Sequence, residues 1–101
     1  MSTLEESVKR LQSHKGVEGI LVINGDGVPI RSTLEHELSV QYAALVTELG
    51  QKARSVVKEL AKDPADDMLS LRIRSKKHEL IIVPDLERQF TLVVVQDPST
   101  E

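Results

Sequence analysis

Leu69-Ser70-Leu71-Arg72-Ile73-Arg74-Ser75-Lys76-Lys77-His78-Glu79-Leu80-Ile81-Ile82-Val83-Pro84 decides the fold. From Leu69 to Arg74 apolar and polar residues alternate, which is the period of a strand with one apolar face and one face carrying two arginines. Ser75 to His78 is polar and reads as a turn. Leu80 to Val83 is an unbroken apolar run, as in a strand covered on both faces, and Pro84 stops it because proline has no N–H to give to a ladder. Strands joined by so short a turn run antiparallel.

Downstream, a polar loop over residues 85–89 leads to the strand Phe90-Thr91-Leu92-Val93-Val94-Val95, and the tail from Asp97 is polar. Upstream lies a second hairpin. Ile20-Leu21-Val22-Ile23 is another doubly apolar strand, Asn24-Gly25-Asp26-Gly27 holds two overlapping tight-turn signals, and Val28-Pro29-Ile30-Arg31-Ser32 resumes extended structure. Pro29 places that strand at a sheet edge. Residues 3–13 read as a short helix with Leu4, Val8 and Leu11 on one face, started by a capping box of Ser2 with Glu5 or Thr3 with Glu6. Gly16 ends it, since the left-handed conformation there costs glycine little.

The segment from Ser39 to Lys62 is a long helix of near six turns at ~3.6 residues per turn. Projected down its axis, Leu45, Val56, Leu49, Tyr42, Leu60, Ala53, Val46, Val57, Gly50, Ala43 and Ala61 fill one arc of about 160°, where a helix on a single sheet needs only about 100°. The surplus edge carries the small residues Ala43, Val46, Gly50, Ala53 and Val57. It faces either a loop of the same chain or the backbone of another helix. Gly50 costs roughly 1 kcal/mol relative to Ala inside a helix, and close packing is the natural compensation.

Composition removes several functions. The chain has 101 residues, a size that sets the expectation of one domain over residues 1–101. Thirteen Lys and Arg against sixteen Asp and Glu leave a net charge of -3. That balance argues against a general nucleic-acid binder or a reader of anionic membranes. No cysteine means no disulfide, no thiolate nucleophile and no sulfur-ligated zinc. There is no signal-peptide pattern and no apolar run of membrane-spanning length, so the expected compartment is the cytoplasm.

No catalytic constellation emerges. His14, His36 and His78 stand far apart, and neither His36-Glu37 nor His78-Glu79 is completed by a second histidine. Gly25-Asp26-Gly27 lacks the third glycine of a dinucleotide turn and the Lys-Ser/Thr of a Walker loop, and a strand follows it where an anion site needs a helix N-terminus. Asp63, Asp66 and Asp67 do not match calcium-loop positions. Ser32 and Thr33 have no neighbouring base. A phosphohydrolase using Asp26 and His78 is the enzymatic alternative, and no spacing supports it. Neither a metal nor a cofactor is expected. Arg72, Arg74, Lys76 and Lys77 form the one basic cluster, with Arg31 a possible addition. It reads as a solvated strand face, as a nucleic-acid contact without the interleaved aromatics such contacts use, or as a surface for an acidic stretch of a protein partner.

Taken together, His14-Lys15-Gly16-Val17 leading into Gly19-Ile20-Leu21-Val22, the stretch Gly27 to Thr33, Gln41-Tyr42-Ala43, Lys52-Ala53-Arg54-Ser55 and above all Leu71 to Glu79 resemble the roadblock family of dynein light chains. The resemblance runs through nearly the whole chain. It departs in the connection from Leu60 to Asp67 and in Glu87-Arg88-Gln89-Phe90. It implies a roadblock/profilin-like α/β fold of α+β type, with a five-stranded, mainly antiparallel sheet in the order 2-1-5-4-3. The long helix lies on one face and the short N-terminal helix on the other. It further implies a homodimer, or a heterodimer with a paralogue, joined through the third strands and long helices. The dimer residues would be Ala43, Val46, Gly50, Ala53, Val57, Leu69, Leu71, Arg72 and Ile73. The function implied is a non-catalytic dynein light chain on the intermediate chain, in the cytoplasm or a ciliary axoneme. The alternative is a roadblock-type adaptor for a small GTPase. The short helix leaves part of one sheet face uncovered, so a helix of the intermediate chain is expected beside Leu4, Val8 and Leu11.

Overall fold

Ile20, Leu21, Val22 and Ile23 are each at most 1% exposed, so both faces of their strand are covered. The computed structural model describes residues 4–100. In chain order the elements are α1 (Leu4–Gln12), β1 (Val17–Asn24), β2 (Pro29–Ser32), α2 (His36–Leu60), β3 (Leu71–Arg74), β4 (Glu79–Asp85) and β5 (Phe90–Gln96), closed by a 3-10 turn at Pro98–Thr100. The strands form one antiparallel sheet ordered β2-β1-β5-β4-β3, the architecture and order expected.

Each face of the sheet carries its own core. Leu21, Ile23, Ile82, Val93 and Val95 meet Ala43 and Val46 of α2, with Tyr42, Leu71, Ile73 and Leu80 at the margin. Ile20 and Val22 meet Val8 of α1, with Leu4, Leu11, Val17, Phe90 and Leu92 around them. Neighbouring residues of β1 thus serve opposite helices, as the two-residue strand period requires.

Element boundaries moved where tertiary pairing extended or cut short a local pattern. β1 begins at Val17, three residues before its apolar run, because Val17 and Gly19 pair with Gln96 and Val95 of β5. β3 starts at Leu71 and omits Leu69 and Ser70. Continuing the register from Leu71 with Ile82 would put Leu69 opposite Pro84, which has no N–H, and Leu69 stands 83% exposed. α2 begins at His36, so Ser39 lies inside its first turn, where its hydroxyl bonds the Glu35 carbonyl at 2.9 Å and the Ser32 hydroxyl at 2.6 Å. α1 starts no later than Leu4; Ser2 and Thr3, proposed to cap it, lie outside the described residues.

The turns follow their chemistry. Gly16 and Gly27 have φ of 89° and 80°, and the Asn24 side chain accepts from the N–H groups of Asp26 and Val28, both at 3.0 Å. Beside that turn the β1–β2 register shifts between Val22 and Ile23, next to Pro29. An irregularity and a proline together discourage further strand pairing at the β2 edge. β3, at the opposite edge, has neither.

Candidate functional site

Two rows of apolar or small side chains run along α2. The row Ser39, Ala43, Val46, Gly50, Ala53, Val57 faces the sheet and the segment that follows the helix. Ser39, Ala43 and Val46 are buried, and Gly50, Ala53 and Val57 are half-buried. About 100° round the helix lies a second row, Leu38, Tyr42, Leu45, Leu49, Val56 and Leu60. Of these, Leu45 is 59%, Leu49 42% and Leu60 77% exposed. Large aliphatic side chains at steps of three and four, open to solvent along most of a 25-residue helix, form the kind of surface that packs against another helix. Leu38, Gln41, Tyr42, Leu45, Leu49 and Leu80 line a groove of about 350 Å³ beside it. Leu80 pairs with Ile73 of β3, so the groove opens toward the unblunted sheet edge.

This arrangement reassigns several residues. Ala43 and Val46, expected in a seam with a second chain, are 0% and 4% exposed against the chain's own sheet. The small residues allow α2 to lie close on Leu21 and Ile23, and the leucines take the outer row. Leu71 and Ile73 pack on the α2-side core from the edge strand, while Arg72 stands on the opposite face. Leu4, Val8 and Leu11, expected beside a partner helix, pack on Ile20 and Val22 of their own sheet, with Val8 fully buried. Sequence projection missed Leu38, Leu45 and Leu49 as a separate row, although Leu45 and Leu49 lay within its apolar arc.

Gly50 tests the reassignment. A Cβ built on it meets nothing within 4 Å, so no contact within this chain requires glycine there. Gly50→Ala is expected to raise stability by about 1 kcal/mol. In a thermal melt this reads as roughly 4–8 °C. A lower melting temperature with loss of self-association would place a second chain against Gly50 after all.

The polar side chains brace the scaffold. Arg54 of α2 donates two hydrogen bonds to Asp67, at 2.9 and 2.8 Å, and ties the returning segment to the helix. Those bonds hold the Asp67 carboxyl at about 2, below its ordinary 3.8. Lys58 donates to the Pro64 and Asp66 carbonyls at 2.9 and 3.3 Å. On the other face Glu79, buried, accepts from Arg72 at 3.0 Å and Gln96 at 2.7 Å. These two, Arg72 foremost, hold its carboxyl below the usual range.

The residues of the enzymatic alternative are not brought together. Asp26 sits in the β1–β2 turn, while His78 precedes β4 at the other end of the sheet, its Nε2 3.8 Å from Glu18. Among the described residues no three His, Asp or Glu side chains gather to hold a metal ion. No described helix is long and apolar enough to cross a membrane. Arg31 does not join the basic cluster, because β2 and β3 are opposite edges and Arg31 pairs with Glu5 at 2.6 Å.

Comparison with known proteins agrees with this geometry. A family model described as the Roadblock/LC7 domain matches residues 3–96. A Roadblock/LC7 domain from Streptomyces avermitilis superposes with a TM-score of 0.80 at 17% identity, over 95% of this chain and 79% of that one. MglB of Myxococcus xanthus gives 0.76 at 17% identity, over 91% and 73%. An MglB described as having a tetrameric arrangement gives 0.75 at 15% identity, over 94% and 71%. At such identities the likeness is one of fold.

Proposed function

This chain belongs to the Roadblock/LC7 domain family, and from that premise we propose that it is a non-catalytic adaptor which dimerises through α2 and β3 and binds a small GTPase. One observation carries the reading: a leucine row on α2 lies open beside an unblunted edge strand. In a two-fold dimer each α2 would enter the groove beside the other, and the two β3 strands would join their sheets. The paired sheets would then present one continuous platform, a surface larger than either chain offers alone.

Two partners were implied by the residue resemblance, a dynein intermediate chain and a small GTPase. The solved folds described above support the second, since they are a bacterial Roadblock/LC7 domain and MglB proteins. A tetrameric MglB adds support for self-association. The light-chain reading ranks second and rests on the stretch from Leu71 to Glu79.

The two readings separate in one experiment. The tagged protein is used to capture partners from extract of its own source, loaded either with GDP or with a non-hydrolysable GTP analogue. A small GTPase recovered in near-equal amount and in a nucleotide-dependent way is the expected result. Dynein intermediate and heavy chains without a GTPase would overturn it in favour of the light chain.

A further inference from the structure

We propose that Arg72, Arg74, Lys76 and Lys77 of two paired copies form a single basic strip that binds one acidic segment of a protein partner per dimer. This rests on the β3-paired dimer of the preceding reading.

The strip is concentrated charge on an acidic chain. Thirteen Lys and Arg less these four leave nine against sixteen Asp and Glu elsewhere. The acid closest in register is Glu79, opposite Arg74, and it is buried and already bonded to Arg72 and Gln96. Lys76 and Lys77 are exposed and have no ion-pair partner among the described residues. Beyond the Arg72–Glu79 pair, Arg74, Lys76 and Lys77 therefore carry positive charge at this edge that no ion pair among the described residues offsets.

Dimer geometry doubles it. Leu71 and Ile73 point to the α2 side, so Arg72 and Arg74 stand on the opposite face. For both α2 rows to meet, the two α2 helices must lie on the same side of the joined sheet. The β3 strands must then pair so that residues of the same face lie opposite each other. With the two-fold axis at residue 72, 73 or 74, arginines of one copy come opposite arginines of the other, at Cβ separations of roughly 4.5–5.5 Å. Like charges directly opposite destabilise a strand pair. An anion seated over the two-fold axis removes that cost, and carboxylates suit guanidinium groups because they accept two parallel hydrogen bonds.

The shape selects a short acidic peptide over a long polyanion. Residues 72–77, at no more than ~3.3 Å each, span at most about 20 Å in each copy. Neither aromatic lies in it, since Tyr42 belongs to the α2-side core and Phe90 begins β5 at the far end of the sheet. Bases would find nothing to stack on. The acidic remainder of the chain repels an extended nucleic acid or an anionic membrane, whereas a short segment need touch only the strip.

The test titrates a fluorescent glutamate-rich peptide against the protein, with light scattering on the same samples. Binding is expected to saturate at one peptide per dimer and to weaken as sodium chloride is raised. In Arg74→Glu combined with Lys76→Glu it should fall about tenfold or more, with the dimer retained. Unchanged affinity in that variant, two peptides per dimer, or binding of single-stranded DNA or phosphatidylserine vesicles in preference to the peptide overturns the proposal. Monomers in light scattering instead overturn the dimer beneath it, so the two failures are told apart.

Discussion

Replacing Leu45 and Leu49 together by aspartate is expected to convert the proposed dimer into folded monomers. Both side chains are substantially exposed in the single chain, at 59% and 42%, so the fold gains little from them. Surface changes of this kind usually stay within about ±0.5 kcal/mol of stability. Across a two-fold seam they count four times, twice per copy. A fully buried leucine contributes about 1.5–3 kcal/mol, and covering the exposed half of each is worth roughly 1 kcal/mol. Four such losses reach ~4 kcal/mol, about a thousandfold in dissociation constant, before the cost of burying carboxylates is added. Multi-angle light scattering should report the monomer mass while circular dichroism keeps its wild-type shape. A variant that still runs at dimer mass would remove the outer row of α2 from the interface.

The helix projection shows how far sequence alone reaches. An arc of about 160° on α2 correctly implied more apolar surface than one sheet can cover. Which edge of that arc faces the sheet was not legible, because periodicity reports the width of a face and not its orientation. Size patterning pointed the wrong way. Ala43 was assigned to an outer contact because small residues allow close approach, and it does allow one, to the chain's own Leu21 and Ile23. The strands were easier. Doubly apolar runs at Ile20 and Leu80 marked central positions, and Pro29 marked an edge, since proline's missing N–H acts locally. β3 was read two residues too long because the alternation at Leu69 and Ser70 continues past the point where Pro84 ends the pairing.

The candidate site divides in the same way. Leu71 to Glu79 was recognisable as a strand and basic turn, and the structure sets it at the free edge where two copies can meet. The bond from Arg72 to Glu79 spans a hairpin turn and was within reach of register arguments. Gln96 as the second donor was not, because it arrives from β5 on the far side of β4. Arg31 looked like part of the same cluster only while strand order was ignored.

Val8 carries the second large effect. A partner's helix was expected beside it, a placement in which Val8→Asp would strike binding alone. The structure buries it completely between Ile20 and Val22, so the same substitution now strikes the fold. Loss of a buried valine costs about 1.5–3 kcal/mol, and a carboxylate left without a partner in that pocket adds several more unless it takes up a proton. Against a total stability of about 5–15 kcal/mol for a domain this size, a loss of ~3 kcal/mol or more is severe. The melting temperature should fall by about 15 °C or more. Lys9→Asp, one residue on and exposed, should change it little, which separates burial from any effect of acid on α1 as a helix. A Val8→Asp protein that melts within a few degrees of wild type, while losing a partner that Lys9→Asp retains, would return Val8 to the surface and α1 to the partner's helix.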